Sequence, residues 1–128
     1  MNYEKKILPA IENDYPYLLE VWENSVRATH HFLKEADIQS LKQFIPKYFK
    51  EVKLFVYKND SEKIIGFLGI AKNKIEMLFI DSNVRGKGIG KKIANFAINN
   101  LNANKLDVNE QNPQAVGFYK INIWMVFI

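Results

Sequence analysis

One segment, FIDSNVRGKGIGKK at residues 79–92, constrains the fold of this chain more than any other. Glycine occupies positions 86, 88 and 90, an apolar run precedes the segment, and apolar residues at helical spacing follow it. Its four cations are Arg85, Lys87, Lys91 and Lys92. This order of strand, glycine-rich turn and helix predicts a helix N-terminus at the end of a strand, as in α/β and α+β domains.

The bulk composition bounds the class of protein. A chain of 128 residues, 48% hydrophobic and 25% charged, predicts one globular domain over residues 1–128. The net charge of +4 is spread along the chain instead of forming a stripe, which argues against a nucleic-acid partner. The absence of cysteine excludes disulfides, thiolate metal sites and a cysteine acyl-enzyme.

The sequence also gives an expectation for the cellular compartment. No apolar run reaches the length of a membrane span, and the N-terminus MNYEKKILPAIEN lacks the apolar stretch and cleavage site of a signal peptide. We therefore expect a cytoplasmic protein with no membrane partner.

Apolar periodicity predicts alternating helices and strands. Leu18, Trp22 and Val26 recur at i, i+4 and i+8, which predicts a helix ending near residue 30. Asn13 or Asp14 is its expected N-cap, because short polar side chains bond the first free N–H groups. A first strand is expected at 5–11 and a further strand at 105–109.

A second amphipathic stretch runs from residue 41 to 52, and we expect Pro46 to break or kink it because proline lacks an N–H. Strands are expected at 53–59, 63–73 and 75–81, with weak two-residue alternation because both faces are apolar. A helix follows at 88–101. Asn112 is the expected cap of a short helix, and residues 121–128 are β-like.

The glycine-rich segment suits a phosphate. The first N–H groups of a helix lack intrahelical partners and face an anion together with the helix dipole, and glycine lets the backbone approach closely. A Walker A loop needs Gly-Lys-Ser/Thr, and the dinucleotide fingerprint needs G-x-G-x-x-G, so neither fits here. The alternative interpretation is a glycine-rich turn with solvated lysines.

The order after the strand resembles the acetyl-CoA loop of the GNAT superfamily of N-acetyltransferases, whose signature is Arg/Gln-x-x-Gly-x-Gly/Ala. Arg85, Gly88 and Gly90 occupy its three defining positions. The segment VNEQNPQAVGFYK is similar to the fifth strand and following helix of the family. SVRATHHFL and VNEQN resemble small bacterial peptidyl-lysine acetyltransferases. The resemblance covers residues 3 to about 120.

The resemblance implies a mixed, mainly antiparallel central sheet flanked by helices, and acetyl-CoA as co-substrate without a metal. The main chain of Leu78, Phe79 and Ile80 would bind the pantetheine arm and polarise the thioester carbonyl. Tyr119 would be the general acid, since a phenol with an ordinary pKa of about 10 suits protonation of a thiolate. The remaining residues implied to bind the coenzyme are Arg85, Gly86, Lys87, Gly88, Ile89, Gly90, Lys91 and Asn112.

A general base must take a proton from the acceptor amine. Glu76 stands where several family members carry that base, and the alternative is an exposed or salt-bridged strand glutamate. His30 and His31 are second candidates near the expected acceptor site, because neutral imidazole is a good base near pH 7. An adjacent histidine pair is also a common surface or capping feature, and no Asp or Cys at ligand spacing accompanies it for a metal.

The expected activity is acetyl transfer to a primary amine, either a peptidyl lysine or a small molecule, by direct attack in a ternary complex. The chain departs from the family after Phe118-Tyr119-Lys120, where INIWMVFI leaves room for one strand where members have two. This predicts a homodimer that covers the apolar edge. The alternatives are a catalytically weak remnant that binds coenzyme A and, in a third class, a nucleic-acid-binding domain.

Overall fold

A computed structural model describes residues 6–29, 31, 33–84 and 86–106, with the main chain alone at 105 and 106. Within these residues the chain forms five strands and three helices, and two short 3-10 turns cover Glu12–Asp14 and Ser82–Val84. The strands are β1 Ile7–Pro9, β2 Lys53–Lys58, β3 Ile64–Ala71, β4 Lys74–Ile80 and β5 Lys105–Leu106. The helices are α1 Tyr15–Thr29, α2 Glu35–Phe49 and α3 Ile89–Asn100.

The sheet has the strand order β1-β2-β3-β4-β5. Strands β1 to β4 pair antiparallel, whereas β5 pairs parallel to β4. Helices α1 and α2 lie between β1 and β2, and short turns join β2 to β3 and β3 to β4. A parallel pair needs a crossover, and α3 supplies it. The expectation of a mixed, mainly antiparallel sheet flanked by helices is confirmed.

The sheet is covered on both faces, which explains the weak alternation of its strands. Trp22 of α1 and Phe49 of α2 pack with Phe67 on one face, while Ile93 of α3 packs with Leu68 on the other. Phe67 and Leu68 are neighbours on β3, so successive side chains of this strand enter different hydrophobic clusters. The main-chain path of β3 is therefore fixed by two helical layers.

The start of α1 differs in detail from the expected cap. A 3-10 turn, Glu12–Asp14, precedes the helix, and the Asp14 carboxylate accepts a hydrogen bond from the N–H of Ile11 at 2.9 Å. Asp14 therefore bonds the N–H of a residue that precedes the helix, and not an N–H of the helix itself. The helix ends at Thr29, as the periodicity predicts.

The expected break at Pro46 is wrong. Helix α2 continues through Pro46 to Phe49, because the proline lies in the last turn and the residues around it are anchored in the core. Ile45 and Phe49 are both fully buried, and burying each such side chain contributes about 1.5–3 kcal/mol. Together, at about 3–6 kcal/mol, this burial offsets the roughly 3 kcal/mol that a proline inside a helix costs through its missing N–H and the clash of its ring.

Four expectations fall outside the described residues. They are the continuation of the last strand to residue 109, the helix capped by Asn112, the strand-like segment 121–128 and the homodimer formed through that segment. All four stay predictions.

Candidate functional site

Strand β4 is the element on which most of the candidate residues lie. Leu78, Phe79 and Ile80 are buried, and β3 pairs with them along one edge. The N–H of Asp81 donates to Ile65 O at 2.9 Å, so the main-chain groups of Asp81 and Phe79 face β3. Because successive residues of a strand point their main-chain groups to opposite edges, those of Leu78 and Ile80 face away from β3. Within the described residues, β5 pairs with β4 at Lys74 and Ile75.

The glycine-rich segment forms the turn into α3. Gly86 and Gly88 have φ of 82° and 78°, in the left-handed region, and Gly88 is the N-cap of the helix. A Cβ at either position would meet nothing within 4 Å, so conformation and not space selects glycine here. An L-residue in this region costs about 1–2 kcal/mol. The Gly88 carbonyl accepts the first helical bond, from Lys92 N at 3.1 Å.

The turn has the chemistry of an anion site. The first N–H groups of α3, those of Ile89, Gly90 and Lys91, precede the first helical donor and carry the positive end of the helix dipole. Lys87 and Lys91 are exposed beside them and add positive charge. Residues 86–91 therefore fit the pyrophosphate of a coenzyme, and we call residues 86–90 the coenzyme loop.

Glu76 occupies a β-bulge. The register passes from Met77 opposite Gly69 to Ile75 opposite Ile70, which leaves Glu76 as the extra residue of β4. With strict alternation, the side chain of Glu76 would point to the face of the sheet that α3 covers, as the side chain of Leu78 does. The bulge turns it to the α2 side instead, next to Met77.

Tyr48 of α2 holds the Glu76 carboxylate. Its hydroxyl donates to Glu76 Oε2 at 2.9 Å, and Lys74 Nζ lies 3.9 Å from Oε1. The Glu76 side chain is 25% exposed. Burial, and then the hydrogen bond to Glu76, raise the pKa of Tyr48 to about 12, so Tyr48 is a neutral donor near pH 7. Phe44 stacks on the Tyr48 ring with centroids 6.2 Å apart and is itself exposed.

Helix α1 is bonded to the turn that leads into the coenzyme loop. Ser25 Oγ donates to the Ile80 carbonyl at 2.6 Å, in a buried position. Asn24 Oδ1 accepts from both the N–H and the hydroxyl of Ser82, at 2.7 and 2.6 Å. These contacts hold the main chain directly before the loop.

Four residues of this arrangement were not predicted from the sequence: Tyr48, Asn24, Ser25 and Ser82. A signal existed for Ser25, because it lies three residues after Trp22 and four after Val21, on the apolar face of α1. A polar residue on a buried face needs a partner, and its partner is the Ile80 carbonyl.

The structure brings some of the predicted site residues together. Glu76 and Leu78 to Ile80 share β4, and Gly86 to Lys91 follow directly. Glu76 and Ile80 are four residues apart, about 13 Å along an extended strand. His31 is exposed after α1 and makes no hydrogen bond or ion pair within the described part of the chain. The remaining predicted site residues, His30, Arg85, Asn112 and Tyr119, fall outside the described residues.

Two cavities lie away from the coenzyme loop. The larger, of about 580 Å³, opens between α1 and the β2–β3 turn and reaches Asn24, Asp81 and Asn83. The other, of about 500 Å³, lies at the opposite end of the sheet beside Lys53 and Lys72. Neither includes a residue of the coenzyme loop, whose residues 86–88 are exposed.

Among the described residues, no three His, Cys, Asp or Glu side chains are close enough to hold a metal ion. In the same part of the chain, no helix is long and apolar enough to cross a membrane.

The chain belongs to the GNAT family: the model of the acetyltransferase (GNAT) domain matches residues 18–121. It is therefore an acetyl-CoA-dependent N-acetyltransferase, as the resemblance of the glycine segment implies. It is 40% identical over 103 residues to the peptidyl-lysine N-acetyltransferase YjaB of Salmonella typhimurium, covering 80% of this chain and 71% of that protein. The Escherichia coli YjaB is 37% identical over 103 residues, covering 80% and 70%.

Solved structures agree. Apo-form YjaB from Escherichia coli superposes with a TM-score of 0.80 at 34% identity, over 89% of this chain and 78% of that chain. The PaiA N-acetyltransferase of Thermoplasma acidophilum, in complex with coenzyme A, superposes with a TM-score of 0.71 at 25% identity, over 89% and 85%. A family neighbour thus holds the coenzyme that the loop chemistry fits.

Proposed function

We propose that this chain is a single-domain enzyme that transfers an acetyl group from acetyl-CoA to the primary amine of a peptidyl lysine. The observation that carries the proposal is the arrangement of β4, which has an anion-binding helix start after one end and an oriented carboxylate near the other. We call these the coenzyme end and the acceptor end. The YjaB relatives, by name peptidyl-lysine acetyltransferases, support this acceptor class.

At the coenzyme end, the N–H groups of the coenzyme loop would hold the pyrophosphate, and Lys87 and Lys91 would raise the rate of capture. Among the described residues, no strand pairs with the outer main-chain edge at Leu78 and Ile80, and this edge would accept the pantetheine arm. The Ile80 carbonyl is already bonded to Ser25, which leaves its N–H and the main chain of Leu78 for that contact. Asn112 would contact the coenzyme from the facing wall.

At the acceptor end, Glu76 would take the proton that a lysine ammonium must lose before it attacks. Tyr48 occupies Oε2, so Oε1 is the oxygen that would receive this proton. Acetyl-CoA supplies the thioester: a C–N bond forms to the amine and the C–S bond breaks. Tyr119 would protonate the departing thiolate, and the second proton that the amine nitrogen loses would restore the phenol, so that the net proton released is the one taken by Glu76. No enzyme nucleophile is needed, because the amine attacks directly in a ternary complex.

The test is acetylation of a lysine-containing peptide, followed by thiol release and by peptide mass. We expect Glu76→Gln to lower kcat about 10²–10⁴-fold, the usual contribution of a general base. The matched control, Glu20→Gln, changes an exposed α1 carboxylate and should leave kcat unchanged.

Two results would contradict the proposal. Coenzyme A binding without any acetyl transfer would favour the alternative of a catalytically weak remnant. Transfer to free diamines but not to the peptide would move the acceptor class to small molecules.

A further inference from the structure

We propose that Asn24 and Ser82 form a brace that positions the coenzyme loop, so that α1 sets the affinity for coenzyme A. Asn24 acts here as a positioning residue. The inference rests on the proposed binding of acetyl-CoA at this loop, and it adds an element that contacts no coenzyme.

The brace joins two distant parts of the chain through one oxygen atom. Ser82 donates both its N–H and its hydroxyl to Asn24 Oδ1, at 2.7 and 2.6 Å. A backbone N–H can only donate, so the group facing it must be the amide oxygen of Asn24. The two bonds fix the main chain and the side chain of Ser82 together.

The residues on either side of the brace are also held. Ile80 O accepts from Ser25, and Asp81 N donates to Ile65 O at 2.9 Å. Three successive residues, 80 to 82, are therefore bonded to α1, to β3 and again to α1. The following turn is closed locally, since Val84 N donates to Asp81 O at 3.0 Å.

Within the described part of the chain, the first three residues of the coenzyme loop, 86 to 88, have no comparable support. Gly86 and Gly88 are exposed, and a Cβ built on either glycine would meet no atom within 4 Å. Among the described residues, the loop is located by its two ends, the braced turn before it and α3 after it. A shift of Ser82 would therefore move the main chain of Gly86 to Gly88, which leads into the first turn of α3, whereas α3 itself is anchored by Ile89 and Ile93 in the core.

The chain offers a matched control for this brace. Asn59 Oδ1 also accepts two hydrogen bonds, from Ser61 N at 2.8 Å and Lys63 N at 3.0 Å. Both partners lie in its own β2–β3 turn. Asn59→Ala thus removes the same side chain and the same number of bonds without touching the coenzyme loop.

The test measures the Kd for coenzyme A by titration calorimetry on the full chain. We expect Asn24→Ala to raise the Kd roughly tenfold, since two hydrogen bonds are lost, and Asn59→Ala to leave it within about twofold. Asn24→Asp keeps an acceptor oxygen and should restore most of the affinity. Ser82→Ala keeps the N–H donor and should have a smaller effect than Asn24→Ala.

A second measurement reports on the stability of the loop in the absence of coenzyme A. Amide hydrogen exchange over residues 82–90 should accelerate in Asn24→Ala and stay unchanged in Asn59→Ala. Equal Kd and equal exchange in the two alanine variants would overturn the brace. Absence of coenzyme A binding by the unsubstituted chain would instead overturn the proposed function, and unchanged exchange in Asn24→Ala would then overturn the brace as well.

Discussion

At its coenzyme end, β4 and the turn after it are held through the main chain, at Ile80, Asp81 and Ser82, by bonds to α1 and β3. At its acceptor end, Glu76 is held through its side chain, by the hydroxyl of Tyr48. Main-chain bonds locate a loop whatever side chains it carries, and this suits a ligand bound by N–H groups. A side-chain bond orients one carboxylate, which suits proton transfer. Changes at the two ends should therefore affect binding and turnover separately.

The largest effect is expected at the coenzyme end, where Gly88→Glu should weaken the binding of coenzyme A. It places a carboxylate where the pyrophosphate would bind and puts an L-residue at a φ of 78°. We expect the Kd for coenzyme A to rise at least about 100-fold, because like charges repel in a site built for an anion. Saturating acetyl-CoA, at about 100 times its Kd, should stabilise the unsubstituted chain by roughly 2.7 kcal/mol and this variant much less.

Gly88→Ala separates the two causes. It shares the left-handed strain of about 1–2 kcal/mol but adds no charge. A variant with lower thermal stability and nearly normal coenzyme affinity would assign the loss in Gly88→Glu to charge. Equal losses of affinity in both variants would show that loop conformation alone decides binding.

An intermediate effect is expected at the acceptor end. Tyr48→Phe removes the hydroxyl that orients Glu76 while keeping the ring and its stacking on Phe44. We expect kcat to fall about tenfold, because the carboxylate loses one charge-assisted hydrogen bond and its fixed orientation. The Kd for coenzyme A should not change, and the pH dependence of kcat/KM should shift. A raised Kd with normal kcat would contradict the division between the two ends.

The smallest effect is expected in alkaline solution. The pKa of Tyr48, about 12 in the fold, is above the ordinary value of about 10. The protonated phenol is therefore favoured by folding, and its contribution to stability is complete below pH 10 and declines as the pH rises toward 12. The difference in free energy of unfolding between the unsubstituted chain and Tyr48→Phe should shrink over that window. A constant difference would show that the phenol bond adds no stability.

Much of the fold was predictable because its causes are local. The face of α1 that carries Leu18, Trp22 and Val26, the three central strands and the helix after the glycines all follow from apolar spacing. The coenzyme loop was predictable for the same reason, since its glycines and cations are contiguous in the chain.

The rest depends on contacts between distant residues. Continuation of α2 through Pro46 depends on the burial of Ile45 and Phe49 against the sheet. The aim of Glu76 depends on a bulge, that is, on a register between two strands, and the sequence of β4 alone does not specify a register. The brace joins residues that are 58 positions apart, so no local sequence pattern predicts it.

The parallel pairing of β5 with β4 has a consequence for how the enzyme folds. Strands β2, β3 and β4 form a meander whose contacts are close in sequence, whereas the β4–β5 pair forms only after the coenzyme loop and α3 have crossed the sheet. Pairings that close long loops form slowly, so we expect the meander to assemble first. The half of the molecule that would hold acetyl-CoA is then the half that completes last. In a cell with abundant acetyl-CoA, the coenzyme would therefore bind each newly made chain only at the end of its folding reaction.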